Sequence, residues 1–152
     1  MSFKKETLAD GSVQLTSERS SYTYQRPRPG VVFMRISGDD KGEFGNAPRD
    51  ELRGDINRYA PVELFVEMDE STGANLPVQE AWTEFFSANR PALKGVSVLT
   101  RSKYMHVSAE VVKLFSRTGE LIRVYLDPAP FEEALQRAAP GFVRPKTQRP
   151  GA

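Results

Sequence analysis

The sequence predicts an α/β fold built on a mixed, mostly parallel sheet, with elements in the order β-β-α-β-α-β-α-β-α. Three observations predict it. Apolar runs of strand length, among them VVFMRIS, VELFVEM, KGVSVLT and LIRVYL, recur along the chain and are rich in β-branched residues. Single segments with helical periodicity separate these runs. Stretches such as FVEM, VSVL and VYL are nearly continuous in apolar residues, as in strands covered by helices. Strands joined through one amphipathic helix each lie parallel, with right-handed crossovers.

The first strand is YTYQRP, Tyr22 to Pro27, and a weaker strand precedes it around Val13 to Thr16. Pro27, Pro29 and Gly30 make the turn into VVFMRIS, Val31 to Ser37, so these two runs form a hairpin and an antiparallel edge. A polar, glycine-containing loop then enters a helix. Pro48 suits its first turn, Asp50 and Glu51 suit its positive end, and Leu52, Ile56 and Tyr59 lie on one face. Pro61 follows the helix, and VELFVEM, Val62 to Met68, is the next strand. The loop DESTGANLP leads to a helix from about Pro77, with Val78, Ala81, Trp82, Phe85, Phe86 and Asn89 on one side and Pro91 beyond it. KGVSVLT, Lys94 to Thr100, is a strand. Tyr104, Val107, Val111, Leu114 and Phe115 supply the core-facing side of the following helix, which ends at Gly119. LIRVYL, Leu121 to Leu126, is the last strand. Asp127 caps the final helix, with Pro128 at its first position and Phe131, Ala134 and Leu135 inward.

Composition bounds the chemistry. The 152 residues suit one domain, and 39% apolar with 27% charged residues suits a globular chain. The 21 Lys and Arg against 20 Asp and Glu give a net charge of +1, which offers no electrostatic ground for nucleic acid or an anionic membrane. The absence of cysteine removes disulfides, thiol nucleophiles and Cys-based zinc sites, and the single His106 removes His-rich metal sites. No run approaches the roughly 18 apolar residues of a membrane span, and MSFKKETLADGS turns polar too early for a signal peptide. A cytoplasmic protein is expected. Residues 1–20 read as a partly flexible N-terminal segment and 21–137 as the domain. Residues 138–152 read as a disordered basic tail carrying Arg144, Lys146 and Arg149.

From about Tyr22 to Arg137 the order of elements resembles the STAS domain, shared by anti-sigma-factor antagonists and the cytoplasmic tails of sulphate transporters. The likeness is closest to its SpoIIAA-like, STAS/SEC14-type branch. It is carried by VVFMRISGD, VELFVEMDESTG, LKGVSVLTRSKYMHVSAEVVKLF and LIRVYLDPAPFEEAL, and Trp82 fits it too. The resemblance implies a regulatory module that binds another protein. Anti-sigma-factor antagonists carry an Asp-Ser-Ser-Gly stretch at the start of the second helix, where a kinase phosphorylates a serine. Strand alignment puts Asn75-Leu76-Pro77-Val78 at that place, without a hydroxyl. Ser71 and Thr72 lie a few residues earlier and are candidate phosphate acceptors outside the family position.

In an open α/β sheet, functional groups collect at the carboxyl ends of the strands. Two polar stretches are expected to meet there as loops: Gly38 to Glu43, after the second strand, and Asp69 to Asn75, after the third. Asp39, Asp40, Asp69 and Glu70 then form an acidic cluster. It is readable as solvated loops, as a protein-recognition patch or as a magnesium site. A phospho-receiver arrangement is matched by Asp39, Asp40, Asp69 and Thr100, but the last strand ends in Asp127 where a cation is needed. Gly38, Gly42 and Gly45 do not spell a dinucleotide fingerprint, and their loop is acidic. His106 shows no local catalytic signature and reads as a structural histidine. Trp82, Phe85 and Phe86 pack on the sheet or line an apolar ligand site. Arg101 to Tyr104 opens a helix as a solvated turn or an anion grip.

The expected function is therefore a non-catalytic STAS-type protein-interaction module lacking the aligned phosphoserine. Its contacts are Asp39, Asp40, Asp69, Glu70, Ser71, Thr72 and Asn75. The alternative is a small-molecule or lipid-binding STAS/SEC14-like module. No enzyme activity, cofactor, metal, nucleic acid or membrane insertion is expected, and the oligomeric state is open.

Overall fold

A computed structural model describes residues 2–145. Among these, seven strands form one sheet in chain order: β1 Lys4–Thr7, β2 Val13–Thr16, β3 Ser20–Arg28, β4 Val31–Asp40, β5 Val62–Ala74, β6 Leu93–Leu99 and β7 Ile122–Tyr125. The helices are α1 Ala47–Tyr59, α2 Leu76–Ala88, α3 Lys103–Ser116 and α4 Pro128–Ala138. β1 to β4 pair antiparallel, and β4 to β7 pair parallel. The architecture is thus the mixed α/β sheet expected from the sequence, extended by two strands at the antiparallel edge. β2 is the weak Val13 to Thr16 segment. β1, with the sequence KKET, carries no apolar alternation to announce it.

The β3–β4 hairpin closes over Pro29 and Gly30, where Gly30 takes a positive φ of 85°. Pro27, which has no N–H to donate, sits in the register irregularity between Gln25 and Arg28. Three successive right-handed crossovers step the same way along the sheet, so α1, α2 and α3 share one face. Leu15, Tyr22, Tyr24, Met34, Leu64, Val66 and Val98 meet Leu52, Trp82 and Phe85 there. On the other face Val31, Phe33, Phe65 and Leu99 meet Phe131 and Leu135 of α4. The side-chain period of two sends alternate residues of β4 and β5 into the two layers.

Three expectations differ from the structure. The strands do not stop at Ser37 and Met68. β4 runs on to Asp40 and β5 to Ala74, paired through two register irregularities. The stretches read as loops are strand because parallel pairing satisfies their backbone groups, which composition does not reveal. Tyr59 is exposed at the end of α1. The apolar stripe of α3 faces away from the sheet: Tyr104, Val107, Val111, Leu114 and Phe115 are exposed. Met105, Ala109 and Val112 make the core contact instead.

Residues 139–145, read as the start of a tail, lie on the α4 face. Ala139 is buried, Phe142 meets Phe33 with tilted rings 5.7 Å apart, and Arg144 bonds Glu67 and Glu132, each at 2.8 Å. Lys146 and Arg149 lie outside the described residues.

Candidate functional site

The sheet rim formed by the carboxyl ends of β4 and β5, with the start of α2, carries every site residue named from the sequence. Its geometry begins at Gly38. That residue has a φ of 78°, and a Cβ there would come 1.9 Å from the Arg19 carbonyl oxygen. Only glycine fits, and the strand's alternation places the following Asp39 and Asp40 on opposite faces.

Asp39 is partly exposed and pairs with Lys41 at 3.3 Å. Asp40 is buried. It accepts hydrogen bonds from the Tyr22 hydroxyl and, at 2.8 Å, from the Gly42 amide. Burial, and then the charge of Asp40, hold the Tyr22 phenol well above its ordinary pKa. Asp69 is held by Arg101, at 2.9 Å from the guanidinium and 3.2 Å from the backbone N–H. These bonds and the carboxylate charge raise the Arg101 pKa. Glu70 lies 3.7 Å from Arg35, on the α4 side of the sheet. Ser71 is buried and donates to the Gly38 carbonyl at 3.4 Å, whereas Thr72 is exposed. Asn75 caps α2 by accepting from the Val78 amide at 3.2 Å, and its amide donates to the Lys41 carbonyl at 3.0 Å. Asn75 to Val78 is therefore the first turn of α2, with Pro77 within it.

The four acids do not converge. Asp40 points inward, Asp69 toward α3, Glu70 to the opposite face and Asp39 to solvent beside Lys41. Among the described residues, no three acidic or histidine side chains are grouped to hold a metal ion. Arg101 is engaged by Asp69 instead of standing free for an anion. His106 is half-buried, 4.0 Å from Glu110 one turn on.

Two features were missed from the sequence. The first is an apolar cavity of about 80 Å³ between the sheet, α2 and α3, with Trp82, Phe86, Met68 and Val112 in its walls and Tyr22, Asp40 and Ser71 at its polar side. The aromatic spacing of α2 pointed to one wall only. The second is a buried ion pair, Arg35 with Glu67, bonded at 3.0 and 3.1 Å and joined by Arg144. Its signal was available: each residue interrupts an apolar strand, and the two are register partners.

The sequence matches no family model and no curated protein. Among solved structures, the chain is similar to an anti-sigma factor antagonist from Mycobacterium paratuberculosis. The TM-score is 0.57 at 10% identity, covering 80% of this chain and 97% of that one. An uncharacterized protein of the DUF3478 family with a SpoIIAA-like fold, from Shewanella loihica PV-4, gives a TM-score of 0.55 at 13% identity. It covers 79% of this chain and 98% of that one. The chain has a SpoIIAA-like, STAS-type fold. SpoIIAA itself, an anti-sigma factor antagonist in its unphosphorylated form, is similar with a TM-score of 0.50 at 14% identity, over 81% of this chain and 99% of that one. The shared fold thus spans about four-fifths of the chain.

Proposed function

We propose that this STAS-type domain is a non-catalytic regulatory module that docks another protein on the β4–β5 rim. The supporting observation is the divergence of the rim acids. Each carboxylate is engaged in its own hydrogen bond or ion pair, so the rim offers a preorganised polar surface instead of groups converging on one reacting atom. The structural neighbours named as anti-sigma factor antagonists support the same class of role. On this reading the chain works without the serine switch that the family resemblance implies, since Asn75 to Val78, with no hydroxyl, opens α2 at that place. Of the two nearby hydroxyls, both in β5, Thr72 is accessible to a kinase and Ser71 is buried.

The test is affinity capture with the full chain and with Asp39→Lys/Thr72→Arg, which alters the partly exposed Asp39 and the exposed Thr72 without touching the buried pairs. One partner protein retained by the native chain and lost at least ten-fold by the variant, at unchanged melting temperature, is the expected result. Equal retention of that partner by both chains would overturn the reading.

A second reading, a small-ligand module, is favoured by the cavity beside Trp82. An apolar ligand seated there changes Trp82 fluorescence saturably and raises the melting temperature. Filling the cavity by Ala109→Leu abolishes both effects.

A further inference from the structure

We propose that α3 is a peripheral docking helix for an anionic lipid surface. Its solvent side carries Tyr104, Val107, Val111, Leu114 and Phe115, with 62, 61, 38, 70 and 67% of each residue exposed. At a helical period these five fall in one arc about 100° wide, opposite the Met105, Ala109 and Val112 side that closes the cavity. Folding gives no reason for this outer face to be apolar, because the inner one already makes the core contact. A contiguous apolar ridge of this kind marks an interaction surface.

Charge selects the occupant. Along the helix Lys103, Lys113 and Arg117 stand against a single acid, Glu110, which lies beside His106; Lys103 and Arg117 are exposed at the two ends of the helix, while Lys113 is half-buried on the flank nearer the sheet. Among the described residues none of the three cations has an ion-pair partner. The near-neutral total of +1 conceals this local excess. A second copy packed antiparallel on the same seam would set Lys103 against Arg117 of its neighbour at both ends, which repels. An anionic bilayer is attracted instead. The apolar arc enters the boundary between headgroups and acyl chains, and Lys103 and Arg117 lie level with the phosphates. The chain rests on the surface without crossing it. No helix among the described residues is long and apolar enough to span.

This goes beyond the protein-docking role and uses another surface. Vesicle co-sedimentation of the full chain tests it, with phosphatidylcholine alone and with about 30% phosphatidylglycerol added. Each cation near the surface contributes about five-fold in affinity, so Lys103 and Arg117 together favour the anionic vesicles roughly 25-fold. Lys103→Glu/Arg117→Glu lowers binding by at least about 25-fold. Leu114→Ser/Phe115→Ser abolishes binding to both vesicle types. All four positions lie on the outer surface, and an unchanged melting temperature verifies the fold. No sedimentation with the anionic vesicles overturns the proposal, and so does equal affinity for the two compositions. A dimer by light scattering that Leu114→Ser dissociates, without vesicle binding, assigns the ridge to a second copy and also overturns it. Loss of a captured protein partner in the Leu114→Ser/Phe115→Ser chain, again without vesicle binding, makes the ridge a protein surface with the same consequence. Partner capture through the rim stands or falls separately, on the Asp39→Lys/Thr72→Arg chain.

Discussion

Arg35 and Glu67 face each other on adjacent strands beneath α4, and both side chains are less than one-tenth exposed. Desolvation makes the pair a weak source of net stability, but removing one partner strands the other charge. Glu67→Ala is therefore expected to destabilise by about 3–5 kcal/mol in urea denaturation. Replacing the exposed Asp50, in a surface pair with Arg53, is expected to change stability by less than about 1 kcal/mol. A second residue-scale consequence concerns pH. Burial first, with the Asp40 charge at Tyr22 and Tyr22 itself at Tyr24, raises both phenols well above the ordinary 10.0. In the unfolded chain they ionise near that value, while the folded chain keeps its protons. The stabilisation is thus complete below about pH 10 and is lost as pH rises beyond it, by up to about 1.4 kcal/mol per pH unit for each phenol. The urea midpoint followed from pH 8 to 11 checks this, and Tyr22→Phe flattens the decline. The sequence displayed Arg35, Glu67 and Asp40 plainly. It did not display their surroundings, because burial of a charge depends on register and on what covers the strand.

At the scale of elements, caps and periodicities were legible and facing directions were not. Asp127 caps α4 as expected, accepting from the Ala129 amide at 3.0 Å. Pro48 and Pro77 occupy first turns. The stripe of α3 was found at the correct residues but read as core, because a helix that is apolar around most of its circumference has two candidate inner faces and periodicity cannot choose between them. The polar ends of β4 and β5 looked like loops because strand pairing there rests on backbone bonds around Gly38. Gly38→Ala is expected to lower stability by at least about 2 kcal/mol, since both the positive φ and the Arg19 backbone oppose a side chain. Asn75→Ala removes the α2 cap and costs about 1 kcal/mol, while Asn75→Asp retains it. Thermal melts of the three variants give the order.

For the whole molecule, the alternation of apolar strands with single helices was enough to give the parallel half of the sheet, because crossover handedness leaves little choice of topology. The antiparallel extension through β1 was not legible: its four residues are polar and are held by backbone pairing with β2 and by an ion pair of Lys5 with Glu51 at 2.7 Å. The same topology gathers the rim at one sheet end and turns the α3 ridge outward, so one small domain presents two separate surfaces. The central claim is that the β4–β5 rim docks a protein partner. Amide hydrogen exchange of the full chain, alone and with the captured partner, tests it most directly. Protection concentrated in residues 38–42 and 69–76 is the expected result. Unchanged exchange in both segments, with protection elsewhere, would contradict it.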